Sequence, residues 1–212
     1  MHIKSVEFIG AIGQVGQAAP EAAKGLPQVA FSGRSNVGKS SLINRLLGRT
    51  RSPIARVSQQ PGKTQEINFY QVRTDRGEFC LVDLPGYGYA RVPQALRGRW
   101  QPLIDGYLRS SPELAGVVQL IDIRHGPTAD DSRAIEYLAA AGIPVLFALT
   151  KSDKLTVTRR GQAVREIVGA LGLEADQVIP FSATTGEGRD DLIESLAVLV
   201  AADGDGATAE TA

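Results

Sequence analysis

The sequence predicts an α/β protein: a doubly wound, mostly parallel six-stranded sheet with helices on both faces. Three observations carry this reading. Short apolar runs such as Val29–Phe31, Val117–Asp122 and Ile143–Leu149 lack polar alternation, the mark of strands buried on both faces. Each run is followed by a segment of helical periodicity, and right-handed crossovers then place helices above and below the sheet. Between the first run and its helix, Gly33-Arg34-Ser35-Asn36-Val37-Gly38-Lys39-Ser40 satisfies G-x-x-x-x-G-K-[ST], a phosphate-binding loop in its proper strand-to-helix setting.

The elements follow in order. Residues 1–27 form a lead-in, with Val6–Ile9 strand-like and Pro20 and Pro27 breaking the rest. After Val29–Phe31, a helix runs over Ser40–Leu47, with Leu42, Ile43, Leu46 and Leu47 on its core face and Gly48 ending it. Arg49–Thr64 is polar and holds Pro53 and Pro61, so it reads as a long functional loop. Ile67–Thr74 and Glu78–Asp83 are strands joined by the turn Asp75-Arg76-Gly77. A second loop, Leu84–Ala90, leads to a helix over about Pro93–Leu108. Three further units complete the alternation: Val117–Asp122 with Asp130–Ala141, Ile143–Leu149 with Thr158–Leu171, and Val178–Phe181 with Gly188–Val200. Residues 201–212 are small and acidic and are expected to form a disordered tail.

Composition narrows the function. With 212 residues, 43% of them hydrophobic, the chain can bury one substantial core, and residues 28–200 are expected to be that domain. Its 23 basic and 23 acidic side chains cancel, so overall charge points to neither a membrane nor a nucleic acid. Ala22–Gln65 nevertheless lacks acids while holding Lys24, Arg34, Lys39, Arg45, Arg49, Arg51, Arg56 and Lys63. This span reads either as a solvated basic edge or as a surface for a polyanion. The single cysteine, Cys80, excludes a disulfide framework and a cysteine zinc cluster. With no signal layout and no apolar run of membrane-spanning length, a soluble cytoplasmic protein is expected, without membrane contact.

Ligands of such sheets bind outside the carboxyl ends of the strands, so the chemistry there is read together. In the phosphate loop, backbone N–H groups of Gly33–Ser41 wrap a phosphate, Lys39 reaches the β and γ oxygens, and the Ser40 hydroxyl ligates Mg²⁺. Asp83 ends an apolar strand where a carboxylate holds Mg²⁺, and Leu84-Pro85-Gly86 follows, Gly86 bringing an N–H near a γ-phosphate. Thr150-Lys151-Ser152-Asp153 selects the base. A carboxylate at Asp153 accepts from guanine N1–H and the exocyclic amine, a donor pair adenine lacks, while Lys151 lays its stem along the purine. Phe181-Ser182-Ala183 then offers backbone N–H groups to the guanine O6.

With Thr64 in the long loop, these segments resemble the five guanine-nucleotide motifs of translation-factor-type GTPases. Gly33–Ser41, Pro61-Gly62-Lys63-Thr64-Gln65 and Asp83–Ala90 resemble more narrowly the EngB family of bacterial GTPases, over about residues 5 to 200. The resemblance implies GTP and GDP as ligands, hydrolysis of GTP, and a monomeric cytoplasmic switch that assists large-ribosomal-subunit assembly, with a link to septation and cell division. Its partner would be the large subunit or its precursor, ribosomal RNA and proteins. It implies that Thr64 joins Ser40 and Asp83 on Mg²⁺ and meets the γ-phosphate, so that residues 49–65 and 83–100 are two switches. Lys39, Thr64, Gly86 and Asn36 would serve catalysis, Asn36 by helping to hold a K⁺ in place of an arginine finger or by tightening the loop alone. Thr150 stands where Asn is commoner in GTPases at large, though Thr is usual in EngB-like chains. Tyr87 stands where many GTPases carry a water-orienting Gln, so slow intrinsic turnover is expected. Arg91, Arg97, Arg99, Arg109 and Trp100 suit structured RNA, and a solvated helix face explains them nearly as well. Two other readings stay open: a small-metabolite kinase using the same loop, and a module that holds nucleotide without useful turnover.

Overall fold

A computed structural model describes residues 1–55, 66–87 and 94–204. Its strands are β1 (Ile3–Ile12), β2 (Gln28–Gly33), β3 (Ile67–Thr74), β4 (Gly77–Asp83), β5 (Leu114–Asp122), β6 (Val145–Thr150) and β7 (Val178–Phe181). The helices are α1 (Lys39–Leu46), α2 (Gln94–Ser110), α3 (Ala129–Ala140), α4 (Val157–Leu171) and α5 (Arg189–Gly204). All strands join one sheet in the order β1-β3-β4-β2-β5-β6-β7. From β4 through β7 the pairings are parallel, whereas β3 runs antiparallel to β4 and β1 antiparallel to β3.

The sheet is therefore the expected doubly wound α/β one, with a seventh strand at its edge. The extra strand is β1, which pairs along the whole of β3, from Ile3 opposite Thr74 to Ile12 opposite Ile67, with irregularities at Ile3/Ser5 and Phe8/Gly10. Only Val6 and Ile12 of its residues are buried, so its apolar pattern shows little of its length. The α5 helix continues four residues past the expected end, to Gly204, and residues 205–212 lie outside the described ones.

Side-chain alternation assigns the faces. Val29 and Phe31 of β2 and Val118 and Leu120 of β5 pack under Leu42, Ile43 and Leu46 of α1 and Leu192, Ile193 and Leu196 of α5. Ala30, Cys80, Val82 and Val117, pointing the other way, pack against Leu103, Tyr107 and Leu108 of α2 and Leu138 of α3. Toward the far edge, Ile121, Phe147 and Leu149 meet Ala163 and Ile167 of α4. Each fully buried Phe or Leu in these layers contributes roughly 2 kcal/mol relative to exposure. Cys80 is buried, as its apolar run predicts, and burial pushes its thiol up to about 12.

Capping residues fix where the helices begin. Thr128 and Asp131 cap α3 reciprocally, each side chain accepting from the other's backbone N–H, and Thr156 caps α4 through Arg159 N–H. Gly172, at φ 63°, ends α4. No described helix is long and apolar enough to cross a membrane. The carboxyl ends of β2, β4, β5, β6 and β7 all lie along one edge of the sheet, and the loops leaving them meet there.

Candidate functional site

The loop after β2 turns through two left-handed positions, Asn36 at φ 62° and Gly38 at φ 108°, before α1 begins at Lys39. Gly38 caps that helix without a side-chain acceptor, so the first backbone N–H groups of α1 face the loop rather than a capping oxygen. The Lys39 ammonium pairs with the Asp83 carboxylate at the end of β4, and both side chains are largely buried. Ser40 and Ser41 follow in the first helical turn.

Beyond Asp83, the Leu84-Pro85-Gly86-Tyr87 segment adds a short parallel bridge to the loop. Ser35 N–H donates to Tyr87 O (2.9 Å) and Tyr87 N–H to Gly33 O (3.3 Å). Gly86 is pressed on Ser35 so closely that a β-carbon would lie 3.0 Å from its Oγ and 3.2 Å from its N. The Ser35 hydroxyl is buried with no hydrogen-bond partner among the described residues. The phenol of Tyr87 is committed as well: it donates to Asp131 Oδ1 (2.8 Å) and accepts from the Gln119 amide. Burial first, then the neighbouring Asp131 carboxylate, pushes its ionisation well above the usual tyrosine range. Tyr87 thus ties this segment to α3 and β5.

The loop after β6 is bound to the phosphate loop from the side. Thr150 Oγ1 donates to Val37 O (2.6 Å), with Ile121 O 3.2 Å away, so the threonine is a tether between the two loops. Lys151, at φ 64°, sends its ammonium to Asn36 O (2.7 Å) and to Asp122 Oδ2 (2.8 Å). Asp153 accepts from Ser182 Oγ (2.7 Å), and this bond, working against burial, holds its carboxyl below the usual range. Ser182 Oγ also accepts from Thr184 and Thr185 N–H, which folds the loop after Phe181. Arg45 of α1 closes the ring by donating to Ala183 O (2.6 Å) and Thr184 O (2.5 Å).

The structure therefore brings together Gly33–Ser41, Asp83–Gly86, Thr150–Asp153 and Phe181–Ala183. Arg56, Gly62, Lys63, Thr64, Gln65, Gly88–Arg91 and the side chains of Arg97, Arg99 and Trp100 lie outside the described residues. Arg109 pairs with Asp105 (3.2 Å) and lies 5.5 Å over the Tyr137 ring, an α2–α3 contact. Several residues of the site were not singled out from the sequence: Gln119, Asp122, Arg124, Asp131, Arg160 and Glu187. Glu187 accepts from Ser152 Oγ (2.8 Å) and pairs with Arg160 (2.5 Å), fixing the two base-side loops to each other. Gln119 was legible as the polar interruption of an apolar strand, and Asp122 as a carboxylate ending a strand as Asp83 does. Among the described residues no three His, Cys, Asp or Glu side chains gather as a self-sufficient metal cluster. Ser40 and Asp83 carry the hydroxyl and carboxylate oxygens that suit an ion keeping its waters and taking phosphate oxygens, as Mg²⁺ does, with Asp83 here paired to Lys39.

A phosphate loop, an Asp-x-x-Gly segment bridged to it and a Lys-x-Asp loop beside it, all at the carboxyl edge of one parallel sheet, define a P-loop GTPase-type protein. The family model described as 50S ribosome-binding GTPase matches residues 28–151. The probable GTP-binding protein EngB of Gemmatimonas aurantiaca is 49% identical over 201 residues, 95% of each chain. That of Halothermothrix orenii is 51% identical over 165 residues, 77% of this chain and 80% of its own. Among solved structures, a probable GTP-binding protein EngB superposes with a TM-score of 0.66 over 82% of this chain and 98% of its own, at 23% identity. Era in complex with MgGDPNP and a 16S ribosomal RNA segment superposes with a TM-score of 0.67, at 23% identity, over 81% of this chain and 55% of its own. The chain belongs to the EngB family of GTP-binding proteins, within the 50S ribosome-binding GTPases. It is a GTP hydrolase.

Proposed function

We propose that this GTPase is a cytoplasmic, monomeric switch that assists assembly of the large ribosomal subunit, with cell division and septation depending on that step. The single observation behind the nucleotide site is the Asp153–Ser182 pair standing beside a phosphate loop already tied to it by Thr150 and Lys151. Residues 28–200 carry the nucleotide. Gly33–Ser41 wrap its phosphates, with the N-terminal dipole of α1 adding to the attraction. Lys39 exchanges Asp83 for β and γ oxygens when nucleotide arrives, which frees the Asp83 carboxylate. Ser40, Asp83 and Thr64 would hold Mg²⁺, which neutralises charge on the β and γ oxygens. Gly86 N–H meets the γ-phosphate, and residues 49–65, with Gly62–Gln65 among them, are the first switch.

Asp153 reads the guanine N1–H and exocyclic amine, Lys151 covers the purine face, and Ser182 and Ala183 meet the O6. Tyr87, held by Asp131 and Gln119, does not orient the attacking water, so intrinsic turnover is slow and a partner completes the site. The description of the matching family supports the ribosomal partner. Single-turnover GTP hydrolysis with and without 50S particles tests the reading, with acceleration by the particles expected. Equal rates in both arms would overturn the ribosomal role. Measuring turnover in KCl and NaCl at equal ionic strength tests K⁺ at Asn36, faster turnover in KCl being expected.

A further inference from the structure

Asp122 is the last residue of β5, paired in register with Thr150 at the end of β6. Its carboxylate is 6% exposed and takes four hydrogen bonds, all from donors on two cationic residues. Oδ1 accepts from the Arg124 backbone N–H (3.1 Å) and Nε (2.9 Å), and Oδ2 from Arg124 Nη2 (2.7 Å) and Lys151 Nζ (2.8 Å). The bidentate Arg124 fork fixes the plane of the carboxylate, and a fixed plane fixes where Oδ2 stands. Lys151 is thereby held at two points, Asn36 O on the phosphate loop and Asp122 Oδ2 on β5. Asn36 O alone leaves a four-carbon side chain free to rotate about it. A second acceptor on a rigid strand removes that freedom.

The geometry points to Asp122 as a positioning residue for the nucleotide site: oriented by Arg124, it holds Lys151 extended so that its aliphatic stem forms a fixed platform for the purine ring. This inference rests on the guanine site proposed above. Asp122 acts on affinity through Lys151 and leaves the edge-reading carboxylate of Asp153 untouched. The consequence is a base-plane effect, equal for purine nucleotides that differ at the exocyclic amine.

The test is the Kd and dissociation rate of fluorescent GDP and IDP analogues on the full chain. In Asp122→Asn the amide keeps one oxygen for two of the four donors and turns an N–H₂ toward the other two, so GDP binding is expected to weaken about five- to tenfold, through faster dissociation. IDP, which lacks the amine read by Asp153, weakens by the same factor. In the Lys151→Ala background Asp122→Asn adds nothing further. Arg124→Gln, which spares the Asp122–Lys151 bond, gives a smaller loss of about two- to threefold and stands in should Asp122→Asn fail to fold in thermal unfolding. Wild-type affinity in Asp122→Asn, a changed GDP-to-IDP ratio, or losses that add in the double variant each overturn the inference. Failure of the wild-type chain to bind GDP overturns the nucleotide site itself, and this role with it.

Discussion

Tyr87 offers the sharpest separation of structure from chemistry. Replacing it with Phe keeps the ring and removes one hydroxyl. That hydroxyl donates to Asp131 Oδ1 at 2.8 Å and accepts from Gln119, whose other amide atom, Oε1, already lacks a partner among the described residues. Gln119 and Asp131 are both buried, so each loses a bond that water does not readily replace. Asp131 keeps Thr128 N–H (2.8 Å) and Thr128 Oγ1 (2.6 Å) on Oδ2, which limits its loss. Leaving one or two buried polar groups short of a partner costs about 1–3 kcal/mol. For a chain of this length that lowers the melting temperature by roughly 2–12 °C. Far- and near-ultraviolet circular dichroism of nucleotide-free protein reads this, with single-turnover hydrolysis measured in parallel. Because the phenol is engaged away from the loop, hydrolysis should stay within about threefold of wild type. A Tyr87→Phe, Gln119→Leu double variant should lose less than the sum of the singles, since removing both partners spares the unpaired group. A tenfold fall in hydrolysis with an unchanged melting temperature would refute the anchor and put the hydroxyl in the chemistry.

Gly188 sits at φ 73°, where an added β-carbon would stand 2.1 Å from Pro180 O, so Gly188→Ala should destabilise by about 2–4 kcal/mol in urea unfolding, the loop after β7 having to move. Asp153→Asn exchanges an acceptor for a donor toward the base edge. GDP binding should fall at least about tenfold while xanthosine diphosphate, with a carbonyl in place of the amine, gains, as competition against a fluorescent nucleotide would read. Cys80 predicts an alkaline slope. Burial raises its thiol from 9.0 to about 12, so the unfolded chain gives up a proton that the folded chain keeps, and stability present below pH 9 is lost as pH rises toward 12. Urea midpoints at pH 9, 10 and 11 should fall less steeply in Cys80→Ala, by about one proton's worth of slope.

What the sequence displays are features whose causes are local. A parallel strand buried on both faces must be apolar along nearly all its length, so β2, β5 and β6 announce themselves in Val29–Phe31, Val117–Asp122 and Ile143–Leu149. A phosphate loop is contiguous, and its spacing is dictated by backbone geometry, so Gly33–Ser40 is legible without any tertiary contact. The edge strand β1 obeys neither rule: it is half exposed, Phe8 stands out to solvent against Tyr70, and its pairing irregularities break the period of two that would mark it. Hidden most completely are the supports of the site. Tyr87 meets Asp131 across 44 positions and Ser152 meets Glu187 across 35, and nothing in either segment names its partner.

Even there the residue types leave a trace. Burying Gln119, Asp122 or Asp131 without a bond costs more than a domain tolerates at several sites, so a polar residue inside an apolar strand or at its end implies an unseen donor or acceptor. Asp83 is legible as a site residue because it closes an apolar strand in a chain that carries a phosphate loop, with Pro85-Gly86 behind it. Asp122, which ends the neighbouring strand in the same way, carries the same implication, and its donors are Arg124 two residues on and Lys151 on the adjacent strand's loop. A carboxylate closing a buried strand at this edge of the sheet is therefore itself the signal, whether it faces a cation from solution or a lysine of the chain.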